Sequence, residues 1–380
     1  MRNSLRILAL NWRFIRDPQA GGAEINLYEQ ARRWVRDGHQ VTITCADPGR
    51  KYAPQKQEVI DGIIVRRMGN RFTVYLLALI YYLMHIKSYD YIVDISNGIP
   101  FFTPLLAQVT GVLIVHHVHG LQWFREFPFP FGVVGWFLES RVVPVLYASW
   151  PVIAVSPSTH DDLIELGFDP EKISVVFNGV NLPGKMPEKC LSGKHRIAYV
   201  GRLKRYKRID RLVQHVSALR TQFPDIHLDI AGDGDARPQI EQLVQQLHLQ
   251  DCVTMHGYVD EHTKATILSS ADVFATTSMH EGWGLSVIEA NSYGCPAVAY
   301  DVPGLRVSIR NGETGFLALD DSSYRDSLVM ILSDHTIYDR LSECSRNWAA
   351  KFDWDVCAQK TLQILEQWKL KSLVTTNQNV

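Results

Sequence analysis

The sequence predicts an α/β protein built as two doubly wound, Rossmann-like parallel-sheet domains, and three observations carry that prediction. Short apolar runs alternate with helix-period segments along the whole chain. Strand–helix–strand units repeated in this way form parallel sheets covered by helices on both faces. Twelve strand candidates are too many for one compact doubly wound sheet. The alternation also breaks once, over residues 181–194, where Pro183, Gly184, Pro187 and Gly193 cluster without periodicity.

The strand candidates of the first half are 5–10, 40–45, 63–67, 91–95, 112–116, 152–155 and 173–177. Those of the second are 196–200, 226–231, 252–256, 272–276 and 296–300. The β-branched runs at 173–177 and 297–299 suit central strands. Helix patterns cover 23–36, stopped by Gly38, and 157–166, stopped by Gly167. Others cover 207–222, 236–247, 261–270 and 285–293. A last amphipathic stretch, Val356 to Leu370, is expected to pack back on the first domain. The expected organisation is a first domain over 1–185, a second over 186–355, and a returning C-terminal helix over 356–380.

Phe72 to Ile86 is the longest apolar run, and it falls short of the ~20 residues that span a bilayer. It reads first as a buried helix and second as membrane-surface contact. Phe124 to Trp150 is also aromatic-rich, but prolines interrupt it, so it cannot span as one helix.

With 380 residues, 21% charged and 46% hydrophobic, the chain has an ordinary globular composition. Its net charge of −1 offers no global basic field for nucleic acid. The N-terminal segment from Arg2 to Arg71 is locally basic, with 13 Lys/Arg against 7 Asp/Glu. Such a surplus could attract an anionic acceptor or membrane surface, or be plain solvated surface. Six cysteines lie scattered without a C-x-x-C pair. That pattern fits reduced thiols in a cytoplasmic protein, with no disulfide framework and no zinc site.

The most informative local feature is the segment from His280 to Ala290, with Glu281 and Glu289 eight residues apart. Glu281 falls in a loop with Gly282 and Gly284, and a helix is expected to start at Leu285 and hold Glu289 about two turns in. Glycine lets backbone approach a ligand closely, and a helix N-terminus offers unpaired N–H groups to an anion. A carboxylate at each end of an anion site suits a sugar, a diphosphate and a ribose in line, which is the shape of a nucleotide-sugar.

Ala198 to Arg208 runs from a strand into a helix, with Arg202 in the loop and Lys207 near the first helical turn. Both fall at the carboxyl edge of the sheet, where such folds bind ligands. Arg offers a planar fork to phosphate oxygens and Lys a compact charge. Gly232-Asp233-Gly234 resembles the start of a dinucleotide fingerprint but lacks its third glycine, and reads as a tight turn. Gly21 and Gly22 precede a helix and permit close approach of phosphate or sugar. His117 and His119 end a strand on one face, without an acidic or cysteine partner at metal-ligand spacing. A histidine at this strand end is therefore read as a hydrogen-bond partner for a substrate hydroxyl. Ser156 and Asn178-Gly179 read as a cap and a turn.

Taken in order, these segments resemble the retaining glycosyltransferases of family 4, which have the GT-B fold of two Rossmann-like domains facing a central cleft. The resemblance rests on Gly21-Gly22, His119, Ala154-Val155-Ser156 and Asn178-Gly179-Val180. It continues through Gly201-Arg202 with Lys207, Gly232-x-Gly234, Glu281 to Glu289 and Asn311 to Phe316, over nearly the whole chain. It implies that Arg202 and Lys207 bind the donor diphosphate, Glu281 the sugar hydroxyls and Glu289 the ribose. It implies further that Gly21 and Gly22 approach the phosphates and that His119 sits by the transferring sugar. Two departures stand out, Val302-Pro303-Gly304 for the family's Gly-Gly and Ala290-Asn291 for its Ala-Met.

The function so implied is a metal-independent retaining hexosyltransferase. It would move a hexose from a nucleotide-diphosphate sugar to a glycan or lipid-linked acceptor in bacterial surface-polysaccharide biosynthesis. Its catalytic set is Glu281, His119, Arg202 and Lys207, and its donor set adds Gly21, Gly22, Gly282, Gly284, Leu285 and Glu289. No cofactor and no nucleic-acid partner are expected. The expected location is cytoplasmic, at the inner face of the membrane, with peripheral contact through the first domain. The alternatives are a non-catalytic nucleotide-sugar-binding protein and a sugar-nucleotide epimerase of the same fold.

Overall fold

The computed structural model describes residues 4–17, 19–106, 108–184 and 195–378. The chain divides into two compact units, Met1–Gly179 with Trp354–Val380, and Val180–Asp353. The boundary expected at 185/186 lies outside the described residues.

Unit 1 holds an eight-stranded sheet. Its strands are β1 (Arg6–Leu10), β2 (Gln40–Cys45), β3 (Gln57–Ile60), β4 (Ile63–Arg67), β5 (Tyr91–Ser96), β6 (Thr110–Val115), β7 (Val152–Ala154) and β8 (Ile173–Val175). They lie in the order β3-β4-β2-β1-β5-β6-β7-β8, parallel apart from the antiparallel β3–β4 pair. β1, β5 and β6 are buried almost throughout, as continuous apolar runs in a parallel sheet should be. The helices of this unit are α1 (Gly22–Arg36), α2 (Val74–Met84), α3 (Gln122–Glu126), α4 (Phe131–Phe137), α5 (Val143–Leu146) and α6 (Pro157–Glu165). Ser156 caps α6 by accepting the Thr159 N–H at 3.1 Å.

Unit 2 holds a six-stranded parallel sheet of β9 (Arg196–Val200), β10 (His227–Ala231), β11 (Val253–Gly257), β12 (Val273–Thr276), β13 (Ala297–Tyr300) and β14 (Gly315–Ala318). The order β11-β10-β9-β12-β13-β14 reverses direction between β9 and β12. Its helices are α7 (Ile209–Leu219), α8 (Arg237–Gln246), α9 (Glu261–Ser270), α10 (Leu285–Ser292), α11 (Pro303–Ser308), α12 (Asp321–Ser333) and α13 (His335–Ala349). Side chains alternate along β9: Ile197 and Tyr199 join the core under α7, α8 and α12, while Ala198 joins the core under α9 and α10. Burying both faces of the strands is what doubly wound topology requires, and the α/β prediction holds for both sheets.

The last helix, α14 (Trp354–Gln378), belongs to unit 1 and packs on α1. The Trp34 indole donates to the Ala358 carbonyl at 3.0 Å, and Arg33 and Arg36 both pair with Asp355. Asn26 of α1 donates to Asn178 Oδ1 at 2.7 Å, tying the Asn178-Gly179 turn to the same helix.

Three readings of the chain need correction. The expected buried helix at 72–86 is α2, and only Val74, Ala78 and Tyr82 of it are buried. One helix face meets the core, Tyr75 and Tyr81 pack partly covered beside it, and Leu76, Leu77, Ile80, Leu83 and Met84 stay exposed. β3 was not expected, because Gln57-Glu58-Val59-Ile60 lacks an apolar run. It pairs with β4 through Asp61-Gly62, whose φ values of 49° and 79° give the turn that suits a two-residue hairpin. β14 was read only as part of the turn over 311–316, yet after that turn the chain runs on as the sheet's edge strand beside β13.

Candidate functional site

In an open parallel sheet the ligand crevice lies at the carboxyl ends of the strands where the order reverses. In unit 2 those strands are the neighbours β9 and β12. β9 leads into Gly201 and Arg202, and β12 leads into Thr277 to Gly284. The fold thus brings the two most informative segments to one edge.

The loop after β9 is braced from both sides. A Cβ on Gly232 would stand 1.9 Å from the Gly201 carbonyl oxygen, so Gly232-Asp233-Gly234 lets the turn after β10 close on this loop. On the other side the Thr277 hydroxyl bonds the Lys207 and Arg208 carbonyls at 3.0 and 2.6 Å. The Met279 N–H donates to the Tyr206 carbonyl at 2.9 Å. Arg202 donates to the Tyr206 hydroxyl at 3.3 Å, and the Tyr199 hydroxyl donates to the Arg202 carbonyl at 3.1 Å. Lys207 closes a 3₁₀ turn, Arg205–Lys207, just before α7 rather than lying within the helix.

This bracing aims the Lys207 ammonium at the Glu281 carboxylate, to which it donates a hydrogen bond. The two side chains are only 13% and 15% exposed. Ser278 Oγ donates to the same carboxylate oxygen at 2.8 Å. Burial works to lower the Lys207 pKa, but the Glu281 charge outweighs it and the ammonium is held above its ordinary value. Burial likewise pushes the Tyr199 hydroxyl well up, with the Glu281 charge adding to the effect.

The loop from Glu281 to Gly284 rests on α11. A Cβ on Gly304 would stand 1.9 Å from the Glu281 carbonyl oxygen, and one on Gly284 would stand 2.7 Å from Ser308 Oγ. Gly284 also takes φ +74°, which suits the residue that opens α10. α10 then begins at Leu285, and Glu289 is its fifth residue, one turn in rather than two. Glu289 accepts from Lys264 of α9 at 2.9 Å. Burial would lower the Lys264 pKa, but Glu289 and Glu261 together raise it. The two glutamates are therefore each matched to a lysine from a different element, Glu281 to Lys207 and Glu289 to Lys264.

In unit 1 the sheet order reverses between β1 and β5. Gly21 and Gly22 stand at the start of α1, in the connection that follows β1. The Gly21 N–H donates to Glu24 Oε2 at 2.7 Å. Open space surrounds the Cβ position of Gly22. The histidines follow β6. His116 is buried, which pulls its pKa down to about 4. The rings of His117 and His119 lie 4.2 Å apart, and His119 stacks on Trp123 at 4.8 Å.

A buried carboxylate shapes this turn. Glu139 is 4% exposed and lies on the π-helical turn Leu138–Val142 after α4. It accepts the His119 N–H at 2.9 Å, the Gly120 N–H at 2.8 Å and the Trp123 indole N–H at 2.9 Å. His119 Nδ1 stands 3.6 Å from Glu139 Oε1. Sequence reasoning missed Glu139, Thr277 and Lys264, since each acts through a partner on another element, and Ser278, whose partner Glu281 lies three residues on in the same loop. Gly304 was visible as a departure from the family pattern, but its packing on Glu281 was not.

Comparison with known proteins agrees with this architecture. Residues 20–183 match the profile of Glycosyltransferase Family 4, and residues 187–348 match that of Glycosyl transferases group 1. A D-inositol 3-phosphate glycosyltransferase of Streptomyces griseus is 27% identical over 303 residues, 68% of this chain and 63% of that protein. The match thus spans less than two thirds of that relative's own length. The sucrose-phosphate synthase of Thermosynechococcus elongatus superposes over 96% of this chain and 98% of its own, with TM-score 0.78 and 21% identity. Anabaena HepE, solved with UDP-glucose, superposes over 96% of this chain and 100% of its own, with TM-score 0.76 and 18% identity.

Proposed function

The chain belongs to glycosyltransferase family 4, with the GT-B fold, and we propose that it is a retaining, metal-independent hexosyltransferase that uses a nucleotide-diphosphate sugar. The observation that carries this reading is the Lys207–Glu281 pair at the carboxyl ends of β9 and β12. A mostly covered cation beside a mostly covered carboxylate, at the place where such a sheet binds nucleotides, suits a ligand that joins a phosphate to a polyol.

In this proposal Arg202 and Lys207 hold the diphosphate, assisted by the N–H groups that open α10 at Leu285. Glu281, with the backbone of Gly282 and Gly284, takes the hydroxyls of the donor sugar, and Glu289 takes the ribose. Gly21 and Gly22 approach the phosphates, and His119 bonds the transferring sugar. When the anomeric C–O bond breaks, the electron pair leaves with the nucleoside diphosphate, and Arg202 and Lys207 stabilise the growing charge without a metal ion. The acceptor hydroxyl adds on the same face of an oxocarbenium-like sugar, and its proton passes to the departing phosphate oxygen.

The acceptor in this reading is a glycan or lipid-linked saccharide of bacterial surface-polysaccharide assembly, met on the cytoplasmic side of the membrane. Among the described residues, no helix is long and apolar enough to cross a membrane, so contact would be peripheral. Related proteins carry names as different as inositol phosphate glycosyltransferase and sucrose-phosphate synthase, so the acceptor is the part that experiment must supply.

A thermal-shift panel of UDP, GDP, ADP and their sugar conjugates, without added metal, tests the donor site. UDP comes first, because HepE was solved with UDP-glucose. Stabilisation by one nucleotide, lost in Arg202→Ala, supports the reading. No shift at millimolar concentration from any of them overturns a preformed donor site. Turnover of the nucleotide-sugar without an acceptor would point to an epimerase instead.

A further inference from the structure

We propose that the exposed face of α2 in unit 1 is a docking surface for an anionic phospholipid bilayer. The proposal deepens the membrane-side acceptor reading above and rests on it. α2 has the sequence VYLLALIYYLM and buries only the stripe Val74, Ala78, Tyr82. On the opposite side Leu76, Ile80 and Leu83 are 63%, 43% and 48% exposed, and Phe72, just before the helix, is 69% exposed. A surface helix normally turns charged and polar residues to solvent. Here the outward stripe is as apolar as the inward one, and a contiguous apolar patch of this kind marks an interaction site.

Length and charge select the occupant. Eleven residues rise only ~17 Å, far short of the ~30 Å hydrocarbon core, so α2 can lie in the interface but not cross it. Between Asp61 and Asp90 there is no Asp or Glu at all, while Arg66, Arg67, Arg71 and Lys87 fall in that stretch. Arg67 is buried against Glu58. Arg71 and Lys87 are exposed, one at each end of the helix, and the Arg71 guanidinium lies 4.8 Å from the Phe72 ring centroid. Cations beside an aromatic and an aliphatic stripe match the headgroup region over anionic lipid. A second copy of the same face would bring Arg71 and Lys87 against like charges, and the 62–89 segment offers no carboxylate to meet them.

The test is co-sedimentation of the full chain with phosphatidylcholine vesicles, with and without phosphatidylglycerol, at low and high salt. Wild type should bind the anionic vesicles, and salt should weaken the binding. Leu76→Ser/Ile80→Ser/Leu83→Ser should lose about tenfold or more, since it removes the apolar stripe. Arg71→Gln/Lys87→Gln, which leaves the stripe intact, should lose about fivefold per cation. The nucleotide thermal shift, read on the same preparations, reports the donor site of unit 2 separately. A retained shift with failed sedimentation therefore overturns only the docking surface. The proposal is overturned if wild type ignores anionic vesicles or if the serine variant binds as wild type does. It is equally overturned if wild type is a dimer that the serine variant dissolves, which would assign the face to a second copy.

Discussion

Lys207 and Glu281, 74 residues apart in the chain, are hydrogen-bonded to each other at the carboxyl ends of two neighbouring strands. The pair gives each partly buried charge a partner. An arriving diphosphate would compete with Glu281 for the Lys207 ammonium, and the freed carboxylate could then turn to the sugar hydroxyls. Lys207→Ala and Glu281→Ala are each expected to cut transfer at least about a hundredfold and to destabilise unit 2 by about 2 kcal/mol. The double variant should lose less stability than the two single losses added, because it leaves no orphan charge, while its activity stays low. Urea denaturation beside initial-rate assays checks both. Additive stability losses would mean the pair is not coupled in solution.

Glu139 gathers the N–H groups of His119, Gly120 and Trp123, and so sets the turn that carries His119. Glu139→Gln keeps the size but turns one acceptor into a donor, which then faces N–H groups. A drop in kcat of about tenfold to a hundredfold is expected, with the nucleotide thermal shift unchanged, since the charged groups proposed to hold the nucleotide, Arg202, Lys207 and Glu289, lie in unit 2. Equal loss of kcat and of the nucleotide shift would show general unfolding rather than a positioning effect.

Gly304 lies against the backbone of Glu281 with no room for a methyl group. Gly304→Ala should displace the 281–284 loop and weaken nucleotide-sugar binding by about tenfold or more, with a stability cost of about 1–3 kcal/mol. Titration calorimetry with the nucleotide found in the panel reads this directly. Unaltered affinity would detach the loop from the donor site.

Asp229 predicts a pH effect in unit 2. Burial pushes its carboxyl up, but hydrogen bonds from His227 and His256 and the charges of His227 and Arg196 outweigh it and hold it at about 2. A depressed carboxyl pKa stabilises the fold above the unfolded value of 3.8, and that stability is lost as pH falls from there toward about 2. Asp229→Asn should therefore be about 1–2 kcal/mol less stable than wild type at neutral pH, with the difference shrinking through that acid window. Denaturation curves of the two proteins across the window decide it. A constant difference would mean the carboxyl is not depressed.

The parallel sheets, most strand and helix positions, and the family were legible in the residues themselves. Period and apolar run length are local properties, and they survive folding because a buried parallel strand or an amphipathic helix must carry them. The Asp61-Gly62 dipeptide favours the turn it makes, but the strand before it, Gln57–Ile60, is too polar to carry a strand pattern. α2 could be recognised as a helix but not placed. An apolar run does not say how many of its faces the fold will cover, and only the packing left Leu76, Ile80 and Leu83 outside.

By itself, the sequence determined most of the strands and helices, the loops that hold Arg202, Glu281, Gly21 and His119, and the helix that holds Glu289. The tertiary structure alone decided that Lys207 meets Glu281, that Lys264 meets Glu289, that Glu139 holds the His119 turn and that Gly304 seats the Glu281 loop. The physical reason is range. Backbone propensity and hydrophobic period act over a few residues, whereas a buried charge takes its partner from whichever element the sheet order places beside it, however far along the chain that element lies.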